Sequence, residues 1–194
     1  MDSDIFWDIT VEINFRANYL NSTYIRKLNP TTKKYVPDMV NFVEINSQNE
    51  KDIKALKKVA QTWSEKCFAN QIYKNAKSKP NLMTYALTKQ KSDYENLEYK
   101  NVLGLCQLSK EMNGVMSIEY LQTKPEFQIE NKNREYKKIG SRVLHSLKKV
   151  FHDKTLRVNY LFEKITFYMD NGFDFEGEVF GDLIWRAQGR KTNL

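Results

Sequence analysis

The sequence predicts a mixed α/β layer fold, with a central, mostly antiparallel sheet flanked by helices. Three observations carry this. The apolar period switches along the chain between two residues and three to four, so strands and helices alternate. Three strand-like runs follow one another between Leu82 and Thr123, and Asn113-Gly114 supplies a turn between the last two, which makes an antiparallel meander. The chain has 194 residues, 41% of them apolar. That is enough for one core, and no linker of flexible composition divides it.

Taken in order, Ile9, Val11, Ile13 and Phe15 alternate with Thr10, Glu12 and Asn14, the pattern of a half-buried strand. Tyr19 to Leu28 has no clear period. Asn29 to Lys34 is a turn by composition, and Pro37-Asp38 predicts a break. Phe42 to Ile45 is a short strand. The polar stretch Asn46 to Glu50 offers helix caps, and Ile53, Leu56, Val59, Ala60 and Trp63 then trace one helix face. Phe68, Ile72, Tyr73 and Ala76 continue a helix after a kink, and it ends before Pro80. Leu82–Leu87, Val102–Leu108 and Val115–Thr123 form the meander. Ile139, Val143, Leu144, Leu147, Val150 and Phe151 trace a further helix, and Leu156 to Leu161 a strand. Phe162 to Asn171 is a helix with Gly172 placed as a left-handed cap, and one or two strands end the chain. Residues 1–40 read as an N-terminal extension packing on a domain formed by 41–194.

Composition excludes several classes. Seven Gly and four Pro rule out collagen-like and low-complexity chains. No stretch approaches the roughly 20 apolar residues of a membrane span. The start, Met1-Asp2-Ser3-Asp4, is acidic where a secretory signal would be basic. Two cysteines, Cys67 and Cys106, stand far apart with no Cys/His cluster, so no metal site is expected and a reduced, cytoplasmic chain is the simplest expectation. The net charge of +7 favours anionic partners without choosing among phosphates, nucleotides and nucleic acid.

Two segments carry chemistry. In the first, the strand around Ile118-Glu119-Tyr120-Leu121-Gln122-Thr123 runs through Lys124-Pro125-Glu126 and a polar loop into Tyr136-Lys137-Lys138-Ile139-Gly140-Ser141-Arg142. A helix opening there presents unpaired N–H groups and a partial positive charge, an anion site that Lys137, Lys138 and Arg142 reinforce. The same residues also fit an ordinary helix start. The second segment is Phe167-Tyr168-Met169-Asp170-Asn171-Gly172-Phe173, with Phe167 inward and the Tyr168 hydroxyl toward a cleft. A packed aromatic helix with a glycine cap is the alternative reading.

Together the two segments resemble the GCN5-related N-acetyltransferase (GNAT) superfamily, over about residues 40 to 186. Phe167-Tyr168 through Gly172-Phe173 matches the family's Phe-Tyr-x-x-x-Gly-Phe. The six residues Glu135-Tyr136-Lys137-Lys138-Ile139-Gly140 fall on the family's Gln/Arg-x-x-Gly-x-Gly/Ala, with a match at Gly140 alone. Lys138 stands at the first glycine place, and Arg134, one residue off, would supply the charge that Glu135 does not.

The resemblance implies acetyl-CoA as co-substrate and direct transfer of its acetyl group to an amine. It implies that Leu121 and Gln122 hold the thioester on a splayed strand. Lys137, Lys138, Gly140, Ser141 and Arg142 would hold the pyrophosphate, with backbone N–H groups of Lys138, Gly140, Ser141 and Arg142 among the donors. Tyr168 matches the general acid toward the CoA sulfur. Glu119 would be the base, directly or through water, or else a solvent-facing strand residue. The acceptor, a small molecule or peptide amine, would meet the first helices and late loops, here Trp63, Phe68, Tyr73, Tyr94 and the acidic residues Glu176, Glu178 and Asp182; a core place for Trp63 and Phe68, and a solvated acidic loop for the three acidic residues, are the simpler readings. Two other readings stand beside this one: a non-catalytic acyl-CoA-binding regulatory or structural domain, and a toxin acetylating aminoacyl-tRNA. The basic charge permits the latter, but the lysines show no aromatic-flanked track in the sequence. No membrane partner is expected, and a homodimer is one use for residues 1–40.

Overall fold

A computed structural model of the chain describes residues 19–63, 68–90, 96–128, 130–131, 134–159, 162–176 and 182–187. The strand pattern of Ile9 to Phe15 and the residues Cys67, Tyr94 and Glu178 lie outside them. The described residues form nine strands, β1 (Tyr19–Leu28), β2 (Tyr35–Ile45), β3 (Leu82–Thr88), β4 (Val102–Lys110), β5 (Met116–Thr123), β6 (Tyr136–Lys137), β7 (Leu156–Asn159), β8 (Asp174–Phe175) and β9 (Asp182–Trp185). They lie in one sheet in the order β6-β1-β2-β3-β4-β5-β7-β9-β8. Helices α1 (Glu50–Thr62) and α2 (Ala69–Ser78) follow β2, α3 (Ile139–Val150) follows β6, and α4 (Ile165–Asp170) follows β7.

The central strands are buried on both faces. Phe42, Tyr85, Leu87 and Cys106 point to a core shared with α3 and Tyr168, while Val43, Ala86 and Leu105 point to a second core under α1 and α2. This is why Val102 to Leu108 reads as an unbroken run rather than an alternation. Asn49 caps α1, accepting from the N–H of Lys51 at 2.9 Å and of Asp52 at 3.4 Å, an interaction of order 1 kcal/mol. The inner face of α1 is not wholly apolar. Asp52, 1% exposed, accepts from Leu97 N–H at 2.9 Å and Asn46 N–H at 3.3 Å, which ties two loops to the helix. Buried Gln107 fixes α2 over the sheet in the same way, donating to Thr84 Oγ1 at 3.0 Å and accepting from Asn75 Nδ2 at 2.9 Å.

Three findings differ from the sequence reading. Tyr19 to Leu28 is a full strand, hairpinned to β2. Pro37-Asp38 does not break β2. Pro37 pairs with Arg26, while β3 joins β2 only from Asn41 onward, so the missing proline N–H costs no ladder bond on that side. Tyr136-Lys137 forms a two-residue strand against Lys27 and Arg26. The division drawn at residue 40 therefore falls inside β2, and residues 19–40 are continuous with the sheet.

At its far end α3 is fastened to α4. Lys148 donates to the C=O of Asn171. Its ammonium lies 4.8 Å from the ring centre of Phe173 and 5.0 Å from that of Trp185. Burial pushes its pKa down to about 8, against the opposing pull of Asp174. A lysine whose folded pKa lies below its unfolded value is protonated less readily in the folded chain. Stability is then reduced below pH 8 and recovers as pH rises through the window from about 8 to 10.5. In denaturant titrations, wild-type stability should climb through that window relative to Lys148→Met, which keeps the stem packing and has no charge to lose.

Candidate active site

The strand β5 is half free. It runs parallel to β7 and pairs with it through Met116, Ser117 and Ile118. Beyond Ile118 the described residues show a partner on the β4 side alone. The register against β4 slips there, Gln107 facing Tyr120 while Leu108 faces Ile118, which makes Glu119 the extra residue of a bulge. The N–H of Lys124 donates to Leu103 at 2.9 Å. Alternation along the strand puts the N–H of Gln122 on that same β4 side, and directs the N–H groups of Leu121 and Thr123 into the splay.

Opposite the splay, α3 begins. Its first hydrogen bond runs from Arg142 N–H to Lys138 C=O at 3.0 Å. The N–H groups of Ile139, Gly140 and Ser141 precede that bond and have no partner within the helix. No side chain caps the helix, and its cap residue Lys138 is left-handed, with φ +65° and ψ 22°. That backbone explains why the family pattern has glycine at this place. Lys138→Gly should remove the strain and raise stability by about 1 kcal/mol in a thermal or denaturant melt, while weakening the pull on anions.

Gly140 joins the two motifs. A Cβ there would sit 3.1 Å from Phe167 Cζ and 3.7 Å from Thr123 Oγ1. The glycine thus seats the α4 aromatic against the helix start, beyond any approach of a ligand. Tyr168, 9% exposed, is held edge-on between Phe167 (ring centres 5.1 Å) and Phe173 (5.8 Å). Burial, with a smaller contribution from Cys106, holds its hydroxyl pKa well above the ordinary value of 10. Gly172 follows with φ +74°, the left-handed cap expected from the sequence.

Between the splay and the helix start lies a cavity of about 500 Å³. Leu121, Lys138, Gly140, Ser141 and Tyr168 line it, as do Thr123, Phe127, Gln128, Arg134, Ile139, Lys164, Phe167 and two carboxylates, Glu130 and Glu163. Arg134 donates through Nη1 to Gln128 C=O at 3.0 Å, and its Nε is buried without a hydrogen-bond partner. Tyr35, donating to the Arg134 C=O at 2.7 Å, and Leu28 N–H, donating to Glu135 C=O at 2.7 Å, hold this loop against the hairpin.

Four expected residues stand apart from this cavity. Gln122 turns its side chain to Phe68 N–H (3.1 Å) and Thr123 C=O (2.7 Å). Lys137 belongs to β6, its ammonium 3.8 Å from the Tyr35 ring centre. Arg142 has its N–H committed inside α3. Glu119 is exposed, and its carboxylate accepts from the Ser109 hydroxyl. Among the acceptor candidates, Trp63 is core, Tyr73 packs on that core, and Phe68 stays exposed, tilted against Tyr120 at 5.3 Å. Glu176 and Asp182 are engaged by Arg157 at 2.9 and 3.9 Å, together with Glu111 at 2.7 Å. One guanidinium among three carboxylates makes this an ion network tying β7 to the β8–β9 end. Arg134 and Lys164 gave no periodic signal. The helix-start cue pointed to Lys137, Lys138 and Arg142, and Arg134 came only from its place one residue off the family motif.

No family model and no curated protein matches this chain. Solved structures do match. NAA60 of Arabidopsis thaliana, in complex with a bisubstrate analogue, aligns with a TM-score of 0.51 at 10% identity, over 78% of this chain and 99% of that one. AtaTR bound with AcCoA aligns with a TM-score of 0.50 at 17% identity, over 76% and 93%. An N-acetyltransferase from Staphylococcus aureus Mu50 aligns with a TM-score of 0.50 at 13% identity, over 77% and 98%. The chain has the GNAT-superfamily fold. Within this fold the cavity lies between β5, where it parts from β7, and the start of α3.

Proposed function

We propose that the chain is an acetyl-CoA-dependent N-acetyltransferase that passes an acetyl group directly to an amine. The observation that carries this reading is one cavity lined by two chemically different sets of groups. One set is the N–H groups of Gly140 and Ser141 with Lys138, Lys164 and the unpaired Nε of Arg134. The other is the N–H of Leu121 and the buried Tyr168. The first set suits a pyrophosphate, and the second suits a thioester carbonyl and a departing thiolate. Acetyl-CoA, the co-substrate that matches both sets, brings an activated acetyl thioester. The fold's likeness to AtaTR bound with AcCoA supports the same choice.

In this reading Gly140 and Ser141 hold phosphate oxygens while Arg134 and Lys138 neutralise them. Leu121 N–H polarises the thioester carbonyl, and Tyr168 gives its proton to the sulfur. Glu119, exposed on the bulge two residues before Leu121, takes the amine's proton through water. Acyl-CoA binding without transfer is the second reading. It draws on Glu119 facing Ser109 rather than the cavity.

Calorimetry with acetyl-CoA tests the site, using wild type and Ser141→Glu. A glutamate in the first turn favours the helix and repels a phosphate. Wild type should bind 1:1, and the variant should lose binding while keeping its melting temperature. Equal binding by both, or none by wild type, overturns the assignment. Release of CoA in the presence of an amine panel separates the two readings: no turnover with any amine leaves binding alone. Gly140→Glu is a poorer probe, because its Cβ would press on Phe167.

A further inference from the structure

A second cavity, of about 430 Å³, lies on the other face of the sheet, under α1. Lys51, Lys54, Lys58 and Lys100 line it together with Tyr99, the buried Ala55 and Leu97, and one carboxylate, Glu98, which accepts from Asn101 Nδ2 at 2.7 Å. The ammonium of Lys58 is 5.3 Å from the Tyr99 ring centre and that of Lys100 is 6.0 Å away. Residues 51–100 contain eleven lysines against five acidic residues, so nearly all of the chain's net charge of +7 arises here. One of the five acids, Asp52, is buried. Lys51, Lys54, Lys57, Lys58, Lys74, Lys77 and Lys79 are all exposed on α1, α2 and the residue that follows α2. Among the described residues, the carboxylate partner of this row is Glu50, 3.4 Å from Lys54, with both side chains largely in solvent. Such a pair is weak and easily exchanged for a phosphate.

We propose that this face of α1, with Tyr99 and Lys100, binds a single-stranded nucleic acid. Lys51, Lys54 and Lys58 share one helix face and climb about 4.5 and then 6 Å along its axis, a row of cations suited to successive phosphates. Tyr99 gives a ring beside which a base can stack, with an ammonium at hand for the phosphates on either side. The track joins helix residues 51–58 to the loop at 99–100, so it is assembled by folding. A membrane surface is a poorer fit, because none of the exposed large apolar residues lines the cavity. The inference does not depend on acetyl transfer.

Fluorescence anisotropy with a labelled ten-nucleotide oligouridylate, read against salt, tests it on the full chain. Wild type should bind at about 50 mM salt and weaken steeply as salt rises. The triple variant K51Q/K54Q/K58Q should lower the salt slope by about 2, roughly 0.7 for each phosphate no longer neutralised. Tyr99→Leu should weaken binding about 5- to 100-fold without changing the slope. Acetyl-CoA affinity and melting temperature should stay unchanged in the lysine variant. The matched control K33Q/K34Q/K110Q should leave both slope and affinity near wild type. The proposal fails if the control acts like the lysine variant, since net charge alone would then explain binding. It also fails if wild type does not bind the oligomer, if inorganic tripolyphosphate binds as tightly, or if anionic vesicles are held and the oligomer is not.

Discussion

Replacing Tyr168 with phenylalanine is expected to lower kcat for acetyl transfer by about 10²-fold or more, the usual contribution of a positioned general acid. Packing should hardly notice the change. The ring sits edge-on between Phe167 and Phe173, and phenylalanine keeps both neighbours. Affinity for acetyl-CoA and the melting temperature should therefore stay near wild type, so the loss falls on kcat rather than on binding. The sign of the pKa shift adds a second reading. Burial raises the hydroxyl pKa, so Tyr168 keeps its proton well past pH 10. An alkaline fall in the wild-type rate below pH 10 would then belong to another group, and the variant should show it at the same pH. Steady-state thiol release across pH 6 to 10 checks both points. An unchanged kcat in Tyr168→Phe would remove the hydroxyl from the mechanism.

Much of the fold was legible because it rests on local signals. The face of α1, the Asn113-Gly114 turn, the meander and the Gly172 cap each follow from spacing or backbone preference within a few residues. What escaped depends on residues distant in sequence. Asp52 and Gln107 interrupt apolar patterns, and their purpose appears only when Leu97, Asn46, Thr84 and Asn75 come to meet them. The strand β6 has two residues, too few for any period, and exists because β1 offers an edge. Lys138 shows a subtler limit. The glycine place in the motif was recognised, but only its φ of +65° shows that the backbone there takes a left-handed shape that glycine adopts most readily. For the candidate site, sequence identified Leu121, Lys138, Gly140, Ser141 and Tyr168 as neighbours. It could not tell which strand N–H groups face β4 and which face the splay, nor that Arg157 holds Glu176 and Asp182.

The second large effect is expected at Gly104, which no motif marks. Gly104 lies on β4 opposite Thr123, where α3 packs on the sheet through Ile139 and Val143. A Cβ there would stand 2.9 Å from Ile139 Cγ2 and 3.3 Å from Val143 Cγ2. Both neighbours are buried and β-branched, so in a helix they have essentially one rotamer and cannot swing aside. The strain must pass to the backbone of α3, whose first turn carries Gly140 and Ser141. Gly104→Val should therefore cost about 1–3 kcal/mol of stability, the usual range for overpacking a filled core. It should also shift the helix start away from the splay. A displacement near 1 Å between the splay and the helix start is enough to lower kcat/KM by about 10²-fold. Gly104→Ala should show the same pair of effects, smaller in both. Melting curves, acetyl-CoA calorimetry and turnover on the two variants give the answer. If stability falls while affinity and rate hold, α3 has adjusted locally and the cavity tolerates its movement. If all three fall in proportion to side-chain size, the packing of Ile139 on Gly104 sets the distance across which Leu121, Gly140 and Tyr168 act together.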